Sequence, residues 1–192
     1  MAFIFILRNS FFLIFSPYKI MRKIAAETDF WQVFLIFIFI FAYFKFVYFL
    51  KDGPYPASFT FFIFLINFFL MILFFYFLSR FLRKKTQFLP FIFTFSYSLL
   101  PTFLWFTSVS VLYIFLPPPR TSSLSGIFFS IFFITYSLIF LFWKMILFYL
   151  ALRFSTQFGF YRILYMTILF IVWFFPYSVL LYYLKIFRVP FI

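Results

Sequence analysis

Five apolar runs, at 30–50, 58–78, 88–116, 124–152 and 163–184, dominate the chain, and each is closed by charge or turn chemistry. At a rise of 1.5 Å per residue, about 20 apolar residues cross a hydrocarbon core of about 30 Å, so each run is long enough to span a membrane. Gly53 and Pro54 follow Lys51 and Asp52 after the first run. Ser79 and Arg80, with Arg83, Lys84 and Lys85 behind them, stop the second, and Pro117, Pro118 and Pro119 end the third in an extended segment that cannot continue a helix. Residues 1–15 are apolar but interrupted by Arg8, Asn9 and Ser10, too short and too polar to cross easily. They lack the basic lead and small-residue cleavage site of a secretory signal. The pattern predicts an amphipathic segment over 1–29 lying at the interface, with Arg8, Lys19, Arg22 and Lys23 towards the headgroups. A sixth span over 2–15 is the alternative. The expected fold class is all-α: a polytopic transmembrane helix bundle of five spans in a single domain, 30–192, preceded by an amphipathic interfacial helix.

Composition agrees with the pattern. Of 192 residues, 68% are hydrophobic, 45 are Phe and 10% are charged, against about one-quarter charged in soluble domains. The net charge of +13 is placed at span ends. With five spans, ten cations (Arg8, Lys19, Arg22, Lys23, Arg80, Arg83, Lys84, Lys85, Arg153, Arg162) fall on one side and four (Lys51, Arg120, Lys185, Arg188) on the other. The positive-inside rule then predicts a cytoplasmic N-terminus and an outer C-terminus; a prokaryotic cytoplasmic membrane is the expected location. No recognition motif surrounds these cations, so nucleic acid is not the expected partner. The lipid bilayer is: Arg22, Lys23, Arg80, Arg83, Lys84 and Lys85 are the expected contacts for anionic headgroups.

The side-chain inventory argues against catalysis. There is no His and no Cys, which removes thiol chemistry, imidazole acid–base work and the usual ligands of zinc, haem and iron–sulfur clusters. The three acids, Glu27, Asp29 and Asp52, lie outside the spans, so no intramembrane carboxylate pair is expected. Three isolated glycines make no phosphate loop. The sequence therefore predicts a non-enzymatic protein without cofactor or metal. Two lysines sit inside apolar runs. Lys45 can extend its stem to the nearer interface, and Lys144 can do the same with Trp143 as interfacial neighbour, or can make a polar contact inside the bundle with Asn67 of the second span. The aromatic third of the chain is expected to be spread over every face, without a cofactor pocket.

Two prolines stand within runs. Pro101 in FSYSLLPTFLW removes the helical donor to the Tyr97 carbonyl, and Ser98 and Thr102 are close enough in sequence to cover it. Pro176, with Tyr177 and Ser178, repeats the arrangement in the fifth run. Both prolines are expected to kink their helices.

The segments SPYKIMRKIAAETDFW, FTFSYSLLPTFLW and FWKMILFYLALRFS, followed by a fifth span, resemble in their order the Yip-one (Ypt-interacting protein) domain family, over roughly residues 10–185. The shared features are an amphipathic lead, a Tyr-x-x-x-Pro element in the third span, a Trp in the fourth and a polar turn before the fifth. The resemblance implies a polytopic membrane protein with a cytoplasmic N-terminus. Eukaryotic members of that family act in vesicle traffic and contact Rab-type GTPases. Three functions follow as expectations: a membrane scaffold or adaptor that binds other membrane proteins or organises lipid; a small transporter, channel-like or scramblase-like protein with the broken third helix on its path; or a subunit of a larger permease complex. A membrane-protein partner or a second copy of the chain is the implied protein contact.

Overall fold

The computed structural model describes residues 2–27, 29–50, 55–82, 86–115 and 124–185. All regular structure among them is helical: α1 (Ala2–Phe15), α2 (Pro17–Ala26), α3 (Phe30–Leu50), α4 (Ala57–Leu82), α5 (Leu89–Ser98), α6 (Leu100–Phe115), α7 (Leu124–Thr156) and α8 (Phe160–Tyr183). Five segments are long and apolar enough to cross a bilayer, with α5 and α6 together forming the third over Leu89–Leu112. The protein is thus an all-α, multi-pass membrane bundle. Arg83, Lys84 and Lys85, and the proline run from Pro117 to Pro119, lie outside the described residues.

The amphipathic lead is two helices. Pro17 starts α2, where its missing N–H needs no partner. Met21 and Ile24 are buried while Lys19, Arg22 and Lys23 are exposed, so α2 has one face on the bundle and a cationic face outside. It packs against α5 and α7, and the ring of Tyr18 meets that of Phe154 at 5.0 Å. In α1 the buried positions are Ile6, Asn9 and Leu13, one helical stripe at spacings of three and four. Its other faces are apolar apart from Arg8 and half-buried Ser10, so the amphipathic character of the lead resides in α2.

The third run is broken at Leu99, in the turn that precedes its proline. Leu99 is fully buried and forms a turn between α5 and α6. Pro101 is the second residue of α6, a position where proline costs little because the first helical N–H groups lack intrahelical acceptors anyway. The expectation that Ser98 and Thr102 cover the Tyr97 carbonyl is corrected. That carbonyl receives a backbone N–H at the end of α5, and the Ser98 hydroxyl donates to the Phe95 carbonyl at 2.8 Å. The tight turn itself satisfies the backbone group, which leaves the serine for another.

The core is aromatic. Phe75 of α4, Phe95 of α5, Phe148 of α7 and Phe170 of α8 form one cluster, with ring centroids 5.7 Å apart for Phe75 and Phe95, 5.4 Å for Phe95 and Phe148, and 4.9 Å for Phe75 and Phe170. Many other rings, among them Phe49, Phe81 and Phe128, are exposed on outer faces, so the aromatic third is spread as expected and also packs into this central cluster. Lipid tails are as apolar as these rings, so packing contacts and ring geometry hold the helices here, in place of the small-residue contacts common in membrane interfaces.

Candidate functional site

Alternating spans bring the C-terminal ends of α4 and α7 and the N-terminal end of α8 to the same end of the bundle. That end carries Arg80, Arg153 and Arg162, and the α2 face with Arg22 and Lys23 adds to it through the contact of α2 with α7. The cations are tethered by aromatic groups: Arg80 donates to the Tyr76 hydroxyl at 3.3 Å, Arg153 donates to that of Tyr149 at 3.0 Å and lies 5.8 Å from the Tyr18 ring centroid. Together they form a cationic rim.

Just inside the rim is a buried polar node. The Tyr97 hydroxyl of α5 donates to Gln32 Oε1 of α3 and accepts from Asn9 Nδ2 of α1 at 3.4 Å. Gln32 Nε2 donates in turn to Asp29 at 3.2 Å and Glu27 at 3.5 Å, and Glu27 pairs with Lys23 at 3.5 Å. Asn9, Gln32 and Tyr97 are all buried. Tyr97 was expected to matter through its carbonyl, yet its hydroxyl joins three helices. Gln32 and Asn9 were not singled out as partners; the available signal was an amide within or beside an apolar run.

Other polar side chains stitch pairs of helices. The Tyr177 hydroxyl of α8 donates to Asn67 Oδ1 of α4 at 2.7 Å, one residue beyond Pro176, which lies inside α8. Asn67 is thus engaged with Tyr177, and the contact expected between Asn67 and Lys144 is not formed. Thr94 and Ser155 bond across α5 and α7 at 2.9 Å, and the Trp105 indole donates to Ser137 across α6 and α7 at 2.9 Å. Thr102 is half-buried at the start of α6.

Lys144 occupies a different setting. It lines a half-open groove between α7 and α8, of about 260 Å³, floored by Met71 of α4 and walled by Phe148, Phe160, Ile163 and Phe170. Among the described residues no acid and no hydrogen-bond acceptor pairs with Lys144. Its depth follows from the helices. Lys144 precedes Arg153 by nine residues and Met71 precedes Arg80 by nine, so both lie about 13 Å inside the rim. A lysine stem reaches about 6 Å, too short to bring the amine to that rim. Trp143, one residue further in, sits at this depth as well, and its indole N–H is buried without a partner among the described residues. Compared with protein families, characterised proteins and solved structures, the chain matches none.

Proposed function

We propose that this bundle acts without catalysis, as a Yip-like membrane scaffold or adaptor that binds other membrane proteins or organises lipid, with its cationic rim on the cytoplasmic side. The observation that carries this reading is the uneven packing of the spans. Over the most apolar 18-residue stretch of each span, 50% of the residues are buried in α5 and α6, but 6% in α7 and 17% in α8. The 33-residue α7 is about 50 Å long and presents Phe128, Phe132, Ile139 and Phe142 outward. The buried side chains of α7, which packs on α2, α5, α6 and α8, lie from Leu147 onward among the described residues, so its N-terminal stretch offers a partner helix a long apolar surface. A path through the broken third span would need a cavity at Leu99, which is fully buried.

Photo-crosslinking residues at Phe132 and Ile139, used in native membranes, test the reading. One discrete protein adduct at α7, absent when the same group replaces Phe49 of α3, is expected. Adducts to lipid alone, together with solute or lipid flux in reconstituted liposomes, would favour the transport class instead.

A further inference from the structure

The groove beside Lys144 has one charge and almost nothing else that is polar. Met71, Met145, Phe148, Phe160, Ile163, Leu164 and Phe170 supply hydrocarbon and sulfur, the Thr167 hydroxyl is already committed to the Ile163 carbonyl at 2.9 Å, and the Tyr149 hydroxyl accepts from Arg153 at 3.0 Å. Met145, Phe160 and Leu164 are exposed at 60%, 57% and 45%, so the groove opens sideways towards the hydrocarbon. An ionisable side chain inside a membrane span, facing a cavity and lacking a partner among the described residues, calls for a counter-charge from elsewhere. Charge complementarity therefore asks for an anion, and depth decides which.

A small inorganic anion would surrender its hydration in a groove lined almost wholly by apolar groups, with no apolar part of its own to hold it there. A two-chain phospholipid keeps its phosphate at headgroup level, about 13 Å from Lys144 along the helix. A long-chain carboxylate meets both limits, because its head is small and singly charged and its tail is as apolar as the groove walls. We infer that the groove binds a fatty acid, with the carboxylate against Lys144 Nζ and the tail leaving between Met145 and Leu164 into the bilayer. The inference concerns a ligand of α7 and α8 and holds whether or not α7 also meets a protein partner.

The test uses the full chain in phosphatidylcholine nanodiscs and, as probe, palmitic acid carrying a mid-chain diazirine. Irradiation followed by peptide mapping is expected to place adducts on Met145 and Leu164. Oleate should compete and methyl oleate should not. Lys144→Met should lower the adduct yield about tenfold, while Lys144→Arg, which keeps the charge, should hold it within about twofold. Lys45→Met, at a cation outside the groove, should leave it unchanged and reports on folding. Equal labelling of Lys144→Met and the unaltered protein, or equal competition by the methyl ester, would overturn the inference and leave an apolar crevice filled by bulk lipid. Competition by phosphatidylglycerol without competition by oleate would overturn it in favour of a phospholipid.

Discussion

Tyr97→Phe removes one oxygen from the only point where α1, α3 and α5 are joined by side-chain hydrogen bonds among the described residues. The ring still fills its place, so packing is conserved and the loss is polar. Gln32 Oε1 loses its donor and Asn9 Nδ2 its acceptor, both in buried residues. Membrane hydrogen bonds measured by double-mutant cycles average about 0.6 kcal/mol, which sets a floor near 1 kcal/mol for two. Leaving buried amide groups unpaired costs about 1–3 kcal/mol each, but the relaxed bilayer-exposed state of α1 limits that. A destabilisation of about 1–3 kcal/mol is expected, borne mainly by release of α1, because Gln32 keeps its bonds to Asp29 and Glu27. The absence of cysteine allows a clean assay: maleimide labelling of Ser10→Cys, a half-buried α1 position. Since about 1.4 kcal/mol is a factor of ten, labelling should accelerate roughly tenfold in the Tyr97→Phe background. Asn9→Leu should accelerate it too, and the double variant should fall short of the sum by at least about 0.5 kcal/mol. Additive effects, or labelling unchanged by Tyr97→Phe, would refute the claim that this hydroxyl ties α1 to the bundle.

Phe95→Ala empties the centre of the four-helix aromatic cluster and should cost about 2–3 kcal/mol in a mixed-micelle unfolding titration. This is below or at the soluble Phe→Ala range because the transfer part vanishes in lipid; a cost under about 1 kcal/mol would show that the rings are lipid-like filler. Tyr177→Phe should destabilise by about 1 kcal/mol, and Asn67→Leu in the same background should recover part of it by removing the orphaned amide; a further loss would contradict the pairing of these two residues. Pro176→Ala, inside α8, should raise stability by supplying a helical donor, whereas Pro101→Ala, at the second position of α6, should change it by less than about 1 kcal/mol. The same titration checks both, and equal effects would sink the distinction.

The spans were legible because a bilayer imposes a length. The first run, 30–50, coincides with α3 (Phe30–Leu50), where Phe30 follows the acidic stretch and Leu50 precedes Lys51. The fourth and fifth runs were read short because polar residues do not end a helix: α7 continues through Arg153 to Thr156 and stops only where Gln157 adopts φ 58. Proline was legible too: the break at Leu99 lies in the turn just before Pro101, the turn that a proline ring disrupts, and leaves Pro101 just inside the start of α6. Partners were the least legible feature. Asn67 was correctly suspected of a bundle contact, yet nothing in the linear order distinguishes Lys144 from Tyr177 as the residue that reaches it. Which face of α8 turns towards α4 is decided by three-dimensional packing of near-identical apolar faces, and hydrophobic periodicity carries no information when every face is hydrophobic.

That uniformity explains why so few polar side chains matter so much. In a water-soluble bundle the apolar stripe itself orients each helix, since a wrong rotation exposes hydrocarbon to water. Here a rotated helix would expose hydrocarbon to hydrocarbon at little cost, and orientation must come from directional contacts. Such contacts are present at several helix junctions: Asn9 with Tyr97 for α1 and α5, Tyr97 with Gln32 for α5 and α3, Thr94 with Ser155 for α5 and α7, Trp105 with Ser137 for α6 and α7, and Tyr177 with Asn67 for α8 and α4. The junction of α7 with α8 shows no such bond among the described residues. It carries Lys144, about 13 Å inside the rim, on a groove wall with no partner opposite among the described residues. A chain that spends its scarce polar residues on matched pairs elsewhere leaves Lys144 unmatched there, at a seam of rings and methylene groups. The match for that cation is therefore to be sought outside the chain, in whatever anion the surrounding bilayer can deliver sideways.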